Sequence, residues 1–460
     1  MSFDSSTQFT RRQALQTAAS GFGYLAFSAL ATWAAEKAGP LDPKAPHFPA
    51  RAKRVVFLCM DGGPSHLDTF DYKPRLQRDN GQEIGMGKVP NAPLLASPWK
   101  FHQHGRSGLW ISELFPEVAR HADELCVINS MQTDLPNHTQ AFLQMHTGIF
   151  QSPRPSLGAW VLYGLGTEND DVPGFITLCP PLTNGGPTNY GSSFLPAIYQ
   201  GTRIGNAGKP IADASVSNLA NATRSLDAQR LQLDLVQSLN RGALEREQVH
   251  PGIEGVIESY ELAFRLQHEL PKLMDLDSES KETHALYGID QPATENFGRQ
   301  CLLARRFLES GVRFVELCHG NWDQHNSLQE LHGKHALATD KPIASLLADL
   351  KARGMLKDTL VIWGGEFGRT PYAQRGDGRD HNHKGYSIWM AGGGVKGGLA
   401  YGRTDDYGSE AVENPVHIHD WHATLLHLVG LDHEKLTYRY AGREMRLTDT
   451  KGSVVRQIIA

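Results

Sequence analysis

The chain has 460 residues, enough for two or three domains or for one large α/β domain with insertions. Lys plus Arg is 45 against Asp plus Glu at 50, a net charge of -5 with no basic block, which argues against a nucleic-acid groove. With 46 Gly and 25 Pro the chain stays below low-complexity levels and reads as a turn-rich globular protein.

The amino terminus reads as an address. Thr10-Arg11-Arg12-Gln13-Ala14-Leu15 precedes an uncharged stretch from Thr17 to Ala35, the layout of a twin-arginine signal peptide over residues 1–38. A retained membrane anchor is the alternative, but Gly21 and Gly23 weaken the run as a spanning helix. Residues 39–50, rich in proline, read as a linker, and 51–460 as the mature fold.

Apolar runs suited to central parallel strands follow at Arg54 to Met60, Leu125 to Ile128, Arg313 to Cys318, Thr359 to Trp363 and Ser387 to Ala391. Four of them run into chemistry-bearing loops. The first meets Asp61-Gly62-Gly63, the second Thr133 to His138, the third His319 to His325, and the fourth Gly364-Gly365-Glu366. The fifth strand comes shortly after Asp380-His381-Asn382-His383. Helical patterns lie between them: Ile343, Leu346, Leu347 and Leu350 share one face, and Trp421 to Val429 follows Asp420 as a predicted N-cap. The stretch from about 222 to 280 is helix-prone and charged, an inserted helical layer over the sheet. Alternating strands and helices predict a doubly wound, mostly parallel sheet flanked by helices, with ligands at the carboxyl ends of its strands.

Eleven of the 21 His fall between His319 and His433, and imidazole is the commonest neutral metal ligand. Asp61, Asp323, His325, Glu366, His381 and His383, gathered at one sheet edge, therefore predict a metal site. A carboxylate after an apolar strand needs compensation that a cation supplies, and Asp323-x-His325 places two donors on one face of an extended segment. The five cysteines, odd in number and without a CxxC pair, predict neither a disulfide framework nor a thiolate zinc site. Cys59, Cys126 and Cys318 read as small buried hydrophobes. Gly392 to Gly397 matches G-x-G-x-x-G, but no helix pattern follows, so a tight loop is expected.

Met60-Asp61-Gly62-Gly63-Pro64-Ser65-His66, Trp322-Asp323-Gln324-His325, Gly365-Glu366-Phe367-Gly368-Arg369, Gly378-Arg379-Asp380-His381-Asn382 and His419-Asp420-Trp421-His422 together resemble the exported sulfatase-like family known as domain of unknown function 1501, a branch of the alkaline phosphatase superfamily. The resemblance runs from about Arg51 to the carboxyl terminus. It implies an alkaline phosphatase-like fold with divalent cations, commonly two, at the strand ends. Asp61 would be the first-strand ligand, Asp323 and His325 ligands of the other cation, and His381 the late histidine. Thr133 is similar in position to a hydroxyl nucleophile, although it can equally cap the turn from Asp134 to Asn137. Phe367 replaces the histidine of a family Asp-His-Gly motif, so His138, His66 or His383 would have to supply the missing nitrogen. The absence of Cys-x-Pro-x-Arg disfavours formylglycine chemistry.

The resulting expectation is an exported hydrolase of phosphate or sulfate esters, acting on a small-molecule or glycan substrate and dependent on zinc, manganese, calcium or magnesium. Thr133, His138 and Arg369 are its expected catalytic residues, with Arg369 and Lys384 as anion clamps. The alternative is a metal-stabilised binding or scaffold protein of the same fold.

Overall fold

The architecture comes from a computed structural model that describes residues 39–85, 91–214, 224–247 and 251–460. The predicted signal segment, 1–38, lies outside the described residues.

Arg54–Met60 (β1) is apolar after its first residue and rich in valine, and it lies in the middle of the sheet with a strand paired on either side and helices packed over its faces. Phe314–His319 (β5) and Thr359–Gly364 (β6) run parallel to it, with Cys59 opposite Cys318 and Val55 opposite Leu360. Beyond β5 lie Phe175–Leu178 (β3) and Thr202–Ile204 (β4), both parallel. On the other side, Tyr386–Ala391 (β9) is inserted antiparallel between β6 and Leu125–Gln132 (β2). Two short strands, Leu399–Tyr401 (β10) and Val416–His417 (β11), complete a nine-stranded sheet by pairing with β2.

The reversed strand β9 has a local cause. The chain leaves β6 at the carboxyl edge, forms the hairpin Gly368–Ala373 (β7) and Arg379–Asn382 (β8) above that edge, and re-enters the sheet from the top. The hairpin therefore carries Arg369 and His381 over the ends of the parallel strands.

Helices cover both faces. His138–Thr147 (α1) packs His146 near Phe57 of β1, and Ile418–Leu428 (α7) sets Trp421 against the same ring at 5.9 Å. On the opposite face Trp363 of β6 meets Phe70 and Phe115, while Asp340 of Leu328–Ala352 (α6) accepts from the Glu117 and Val118 amides. The helix of residues 418–428 starts earlier than its expected position because His417 rather than Asp420 is the N-cap. The Asp420 side chain closes the box by accepting from the His417 amide.

The inserted segment forms an antiparallel helix pair, Leu226–Glu247 (α3) and Pro251–Met274 (α4). Leu262, Leu266 and Leu270 of α4 join the core, whereas Leu231, Leu235 and Leu239 of α3 face outward. The expected linker is pinned to the body, since the Lys44 ammonium donates to the Tyr163 carbonyl at 2.8 Å. The 392–397 loop turns through positive φ at Gly392, Gly393 and Gly394. Among the described residues no helix is long and apolar enough to cross a membrane.

Candidate metal centre

The loop after β1 fixes one wall of the site. Gly62 has φ +112°, and a Cβ there would lie 2.7 Å from the Trp322 amide, so only glycine lets the β1 and β5 loops meet. The two loops are tied by Trp322 N–H to the Asp61 carbonyl at 3.1 Å and by Asp61 N–H to the His319 carbonyl at 3.0 Å. Asp61 and Asp323 thus come to neighbouring strand ends.

Four nitrogen atoms crowd one carboxylate oxygen. Asp323 Oδ1 lies 2.9 Å from His325 Nε2, 3.2 Å from His381 Nε2, 3.2 Å from His138 Nε2 and 2.7 Å from Arg369 Nη2. His138, Asp323, His325 and His381 place their donor atoms within 4.8 Å of one another. The other nitrogen of each ring is already committed. His381 Nδ1 is 2.8 Å from the Pro136 carbonyl, His325 Nδ1 bonds Gln374 Oε1, and His138 Nδ1 is 2.6 Å from Glu366 Oε1. If Nδ1–H donates in each case, all three Nε2 lone pairs face the carboxylate and one another. His325 Nε2 and His381 Nε2 are only 3.0 Å apart, and the buried His138 Nε2 has no aligned hydrogen-bond partner. Such convergence is repulsive without a cation and natural around one, and the outward hydrogen bonds are those that orient metal-ligating imidazoles. The residues therefore fit a divalent ion.

The electrostatics agree. Burial would raise the Asp323 carboxyl, but the imidazoles of His138 and His381 and the Arg369 guanidinium hold it far below the usual range. Burial would lower His138, yet the Asp323 and Glu366 carboxylates against its ring lift it to about 9, so without metal a proton occupies this position.

Asp61 and Glu366 form a second acidic pair beside this cluster. Glu366 is fully buried and accepts from the Gly62 amide as well as binding His138. Burial and the Glu366 charge push Asp61 up to about 6, partly opposed by Asn184 Nδ2, which donates to Asp61 Oδ1 at 2.9 Å. Two carboxylates held this way suit an oxygen-preferring cation.

Other expected residues take different places. Arg369 is wholly buried and donates to the Gly62 and Gly63 carbonyls and to Asp323, so it braces the loops instead of reaching out as a clamp. The Thr133 hydroxyl donates to Gln144 Oε1 at 2.7 Å, and the same oxygen accepts from the Asp134 amide. The hydroxyl is thus tied to the Gln144 side chain of α1, which also holds the Asp134 amide. The His383 carbonyl accepts from the Thr133 amide, and its ring is outside the group of four. His66 lies buried under the β7 strand, with Nε2 2.9 Å from the Gly408 carbonyl. Lys384 is exposed. His138, at the first position of α1, is the imidazole that the fold brings beside Phe367, with ring centroids 4.9 Å apart. Asn184 was missed, because a loop asparagine among many carries no local signal.

A cleft of about 640 Å³ opens beside Asp61, lined in part by His319, Asn321, Lys209 and Lys334. It is of ligand size, and its two ammonium groups favour an anion.

Residues 52–459 match the family described as "Protein of unknown function (DUF1501)". No curated protein shows a significant sequence match. Among solved structures the chain is similar to a protein of the alkaline phosphatase superfamily from Vibrio parahaemolyticus, at 11% identity and TM-score 0.37, covering 85% of this chain and 70% of that one. The PsFucS1 sulfatase from Pseudoalteromonas sp. aligns at 14% identity and TM-score 0.34, covering 83% and 68%. The C-terminal periplasmic domain of EcEptC from Escherichia coli, in complex with Zn, aligns at 9% identity and TM-score 0.36, covering 86% and 88%.

Proposed function

The chain belongs to the DUF1501 family, and we propose, from the geometry of its own site, that it is a metal-dependent hydrolase of phosphate or sulfate esters and, from its amino-terminal sequence, that it is exported. The observation that carries this reading is the convergence of three imidazole Nε2 atoms on Asp323 Oδ1. His138, Asp323, His325 and His381 would hold one ion, and mixed imidazole and carboxylate donors suit zinc or manganese. Asp61 and Glu366 would hold a second, for which manganese, calcium or magnesium fits the oxygen donors. When bound, such ions neutralise an ester oxyanion, acidify a nucleophile and stabilise the leaving oxygen.

The chain's own residues position and select. Glu366 holds His138 in one tautomer and receives the Gly62 amide, so the β1 loop and α1 share one anchor. Arg369 fixes the Gly62 and Gly63 carbonyls and Asp323 in a single arrangement. Lys209 and Lys334 on the cleft wall would attract an anionic ester. The second reading, a metal-stabilised binding or scaffold protein, draws on Thr133, whose hydroxyl is engaged with Gln144 and would have to turn before attacking.

Chelator-treated protein reloaded with zinc, manganese, calcium or magnesium would be assayed on aryl and glycan sulfates and on phosphate mono- and diesters. Turnover that disappears in Asp323→Ala with His325→Ala supports the hydrolase. Full metal occupancy without turnover on any ester supports the scaffold. Export by the twin-arginine route predicts that Arg11→Lys with Arg12→Lys abolishes secretion while the retained protein still binds metal.

A further inference from the structure

A second cluster of metal-binding side chains lies inside the sheet, below the site just described. Cys59 of β1 stands in register with Cys318 of β5, and Glu316 projects from the same face two residues earlier. The last turn of α1 lowers His146 onto that face. All four are buried: Cys59 is 0%, Glu316 2%, His146 3% and Cys318 5% exposed. His146 Nε2 is 2.8 Å from Glu316 Oε1 and 4.0 Å from Cys59 Sγ, and Cys318 Sγ is 3.5 Å from the same Glu316 oxygen. The donor atoms of Cys59, His146 and Glu316 all lie within 4.8 Å of one another.

The imidazole orientation is the informative detail. His146 Nδ1 is 2.8 Å from the carbonyl of Phe142, one turn back on its own helix, so that nitrogen carries its hydrogen. The Nε2 atom then faces a carboxylate and a thiol in the middle of the core. A carboxylate there needs a positive partner, and the position between Glu316, His146 and Cys59 must hold either a proton or a metal ion.

We propose that Cys59, His146 and Glu316 form a structural transition-metal site, zinc by preference, with the Cys318 sulfur as the fourth neighbour. One thiolate and one carboxylate neutralise a divalent ion, so the core bears no net charge. Thiolate with imidazole selects zinc over calcium or magnesium. Tetrahedral ligation at ordinary zinc distances separates donor atoms by about 3.3–3.8 Å. The observed 2.8 Å and 4.0 Å spacings of His146 from Glu316 and Cys59 bracket that range, and rotamer adjustments of well under an ångström close it. The ion would staple α1 to β1 and β5. Those three elements present His138, Asp61 and Asp323 to the upper site, so the lower ion would set the spacing on which the upper one depends. The inference stands whether or not the protein hydrolyses esters.

Cobalt tests it on the intact chain. The upper cluster contains no sulfur, so in protein produced in cobalt-supplemented medium a thiolate-to-cobalt charge-transfer band reports the lower site alone. The expected result is that band in the wild type, its persistence in Asp323→Ala with His325→Ala, and its loss in Cys59→Ala. Zinc-grown Asp323→Ala with His325→Ala should retain about one equivalent of zinc. The proposal is overturned if wild-type cobalt protein shows tetrahedral d–d bands but no thiolate band. It is equally overturned if the band survives Cys59→Ala, or if thiol counting finds Cys59 and Cys318 oxidised to a disulfide. Because the wild-type spectrum is itself decisive, a variant that fails to fold leaves the test intact.

Discussion

One helix serves two histidine-carboxylate clusters in opposite surroundings. At its first position α1 gives His138 to Asp323, whose side chain is 39% exposed, while near its end it gives His146 to Glu316, whose side chain is 3% exposed. The two histidines are eight residues apart, about 12 Å along the helix. At the upper cluster water and mobile ions can screen the charges, so a bound ion could exchange there. At the lower cluster burial excludes such screening, and a charged group there needs a partner. On the readings proposed above, the same residue types would serve chemistry in one place and rigidity in the other.

The sharpest way to separate the two is to remove one acid. Glu316→Ala leaves His146 buried without its counter-charge and is expected to cost about 3–5 kcal/mol of unfolding free energy, read from urea denaturation. Asp323→Ala, in a partly hydrated site, should cost far less stability while removing metal. If the two variants unfold at the same urea concentration, the division of roles fails.

Acidity gives the next largest contrast. The folded-state value of His138, about 9, lies above its ordinary 6.5. In the metal-free protein this proton contributes stability that is fully present below pH 6.5 and lost as pH rises through about 9. A metal must displace it, so upper-site affinity should rise up to about tenfold per pH unit until pH 9 and then level off. Calorimetric titration with zinc from pH 6.5 to 9.5 would show this, and a flat profile would remove His138 from the ligand set.

Glu366→Gln keeps the shape of the residue that orients His138 but weakens its hold. Upper-site affinity is expected to fall about 10–100-fold, with the cobalt-thiolate band of the lower site unchanged. The smallest effect should come from the cleft. Lys209→Glu with Lys334→Glu is expected to raise KM for an anionic ester several-fold with little change in kcat, since exposed charges are screened by salt.

Most of the scaffold was legible because its central strands are continuous apolar runs. The reading from Thr359 to Trp363 differs from β6 by one residue, and that from Ser387 to Ala391 differs from β9 by one. Strands β3 and β4 escaped notice, being only four and three residues long at the far side of the sheet. At the site, Asp323 and His325 sit together as their spacing suggested, the 379–382 strand brings His381 to them, and His138, weighed as acid or replacement ligand, lies in the same group. Arg369 deceived because an arginine after a glutamate loop looks like an anion clamp, and only the fold shows four carbonyls waiting for it. Cys59 and Cys318 are buried, as their apolar strands suggested. The sequence signal for the lower cluster is Glu316, a charge in the middle of a buried run.

The candidate ligands of the upper cluster come from residues 138, 323, 325 and 381, and the hairpin bearing the last can be placed only once β6 and β9 have closed around it. Contacts so distant along the chain carry a large loop-closure cost and form late. The ion would then be captured by a nearly finished protein and would not guide its folding. Refolding followed by tryptophan fluorescence should accordingly run at the same rate with zinc present or absent in the Cys59→Ala background, and zinc should appear only in slower unfolding.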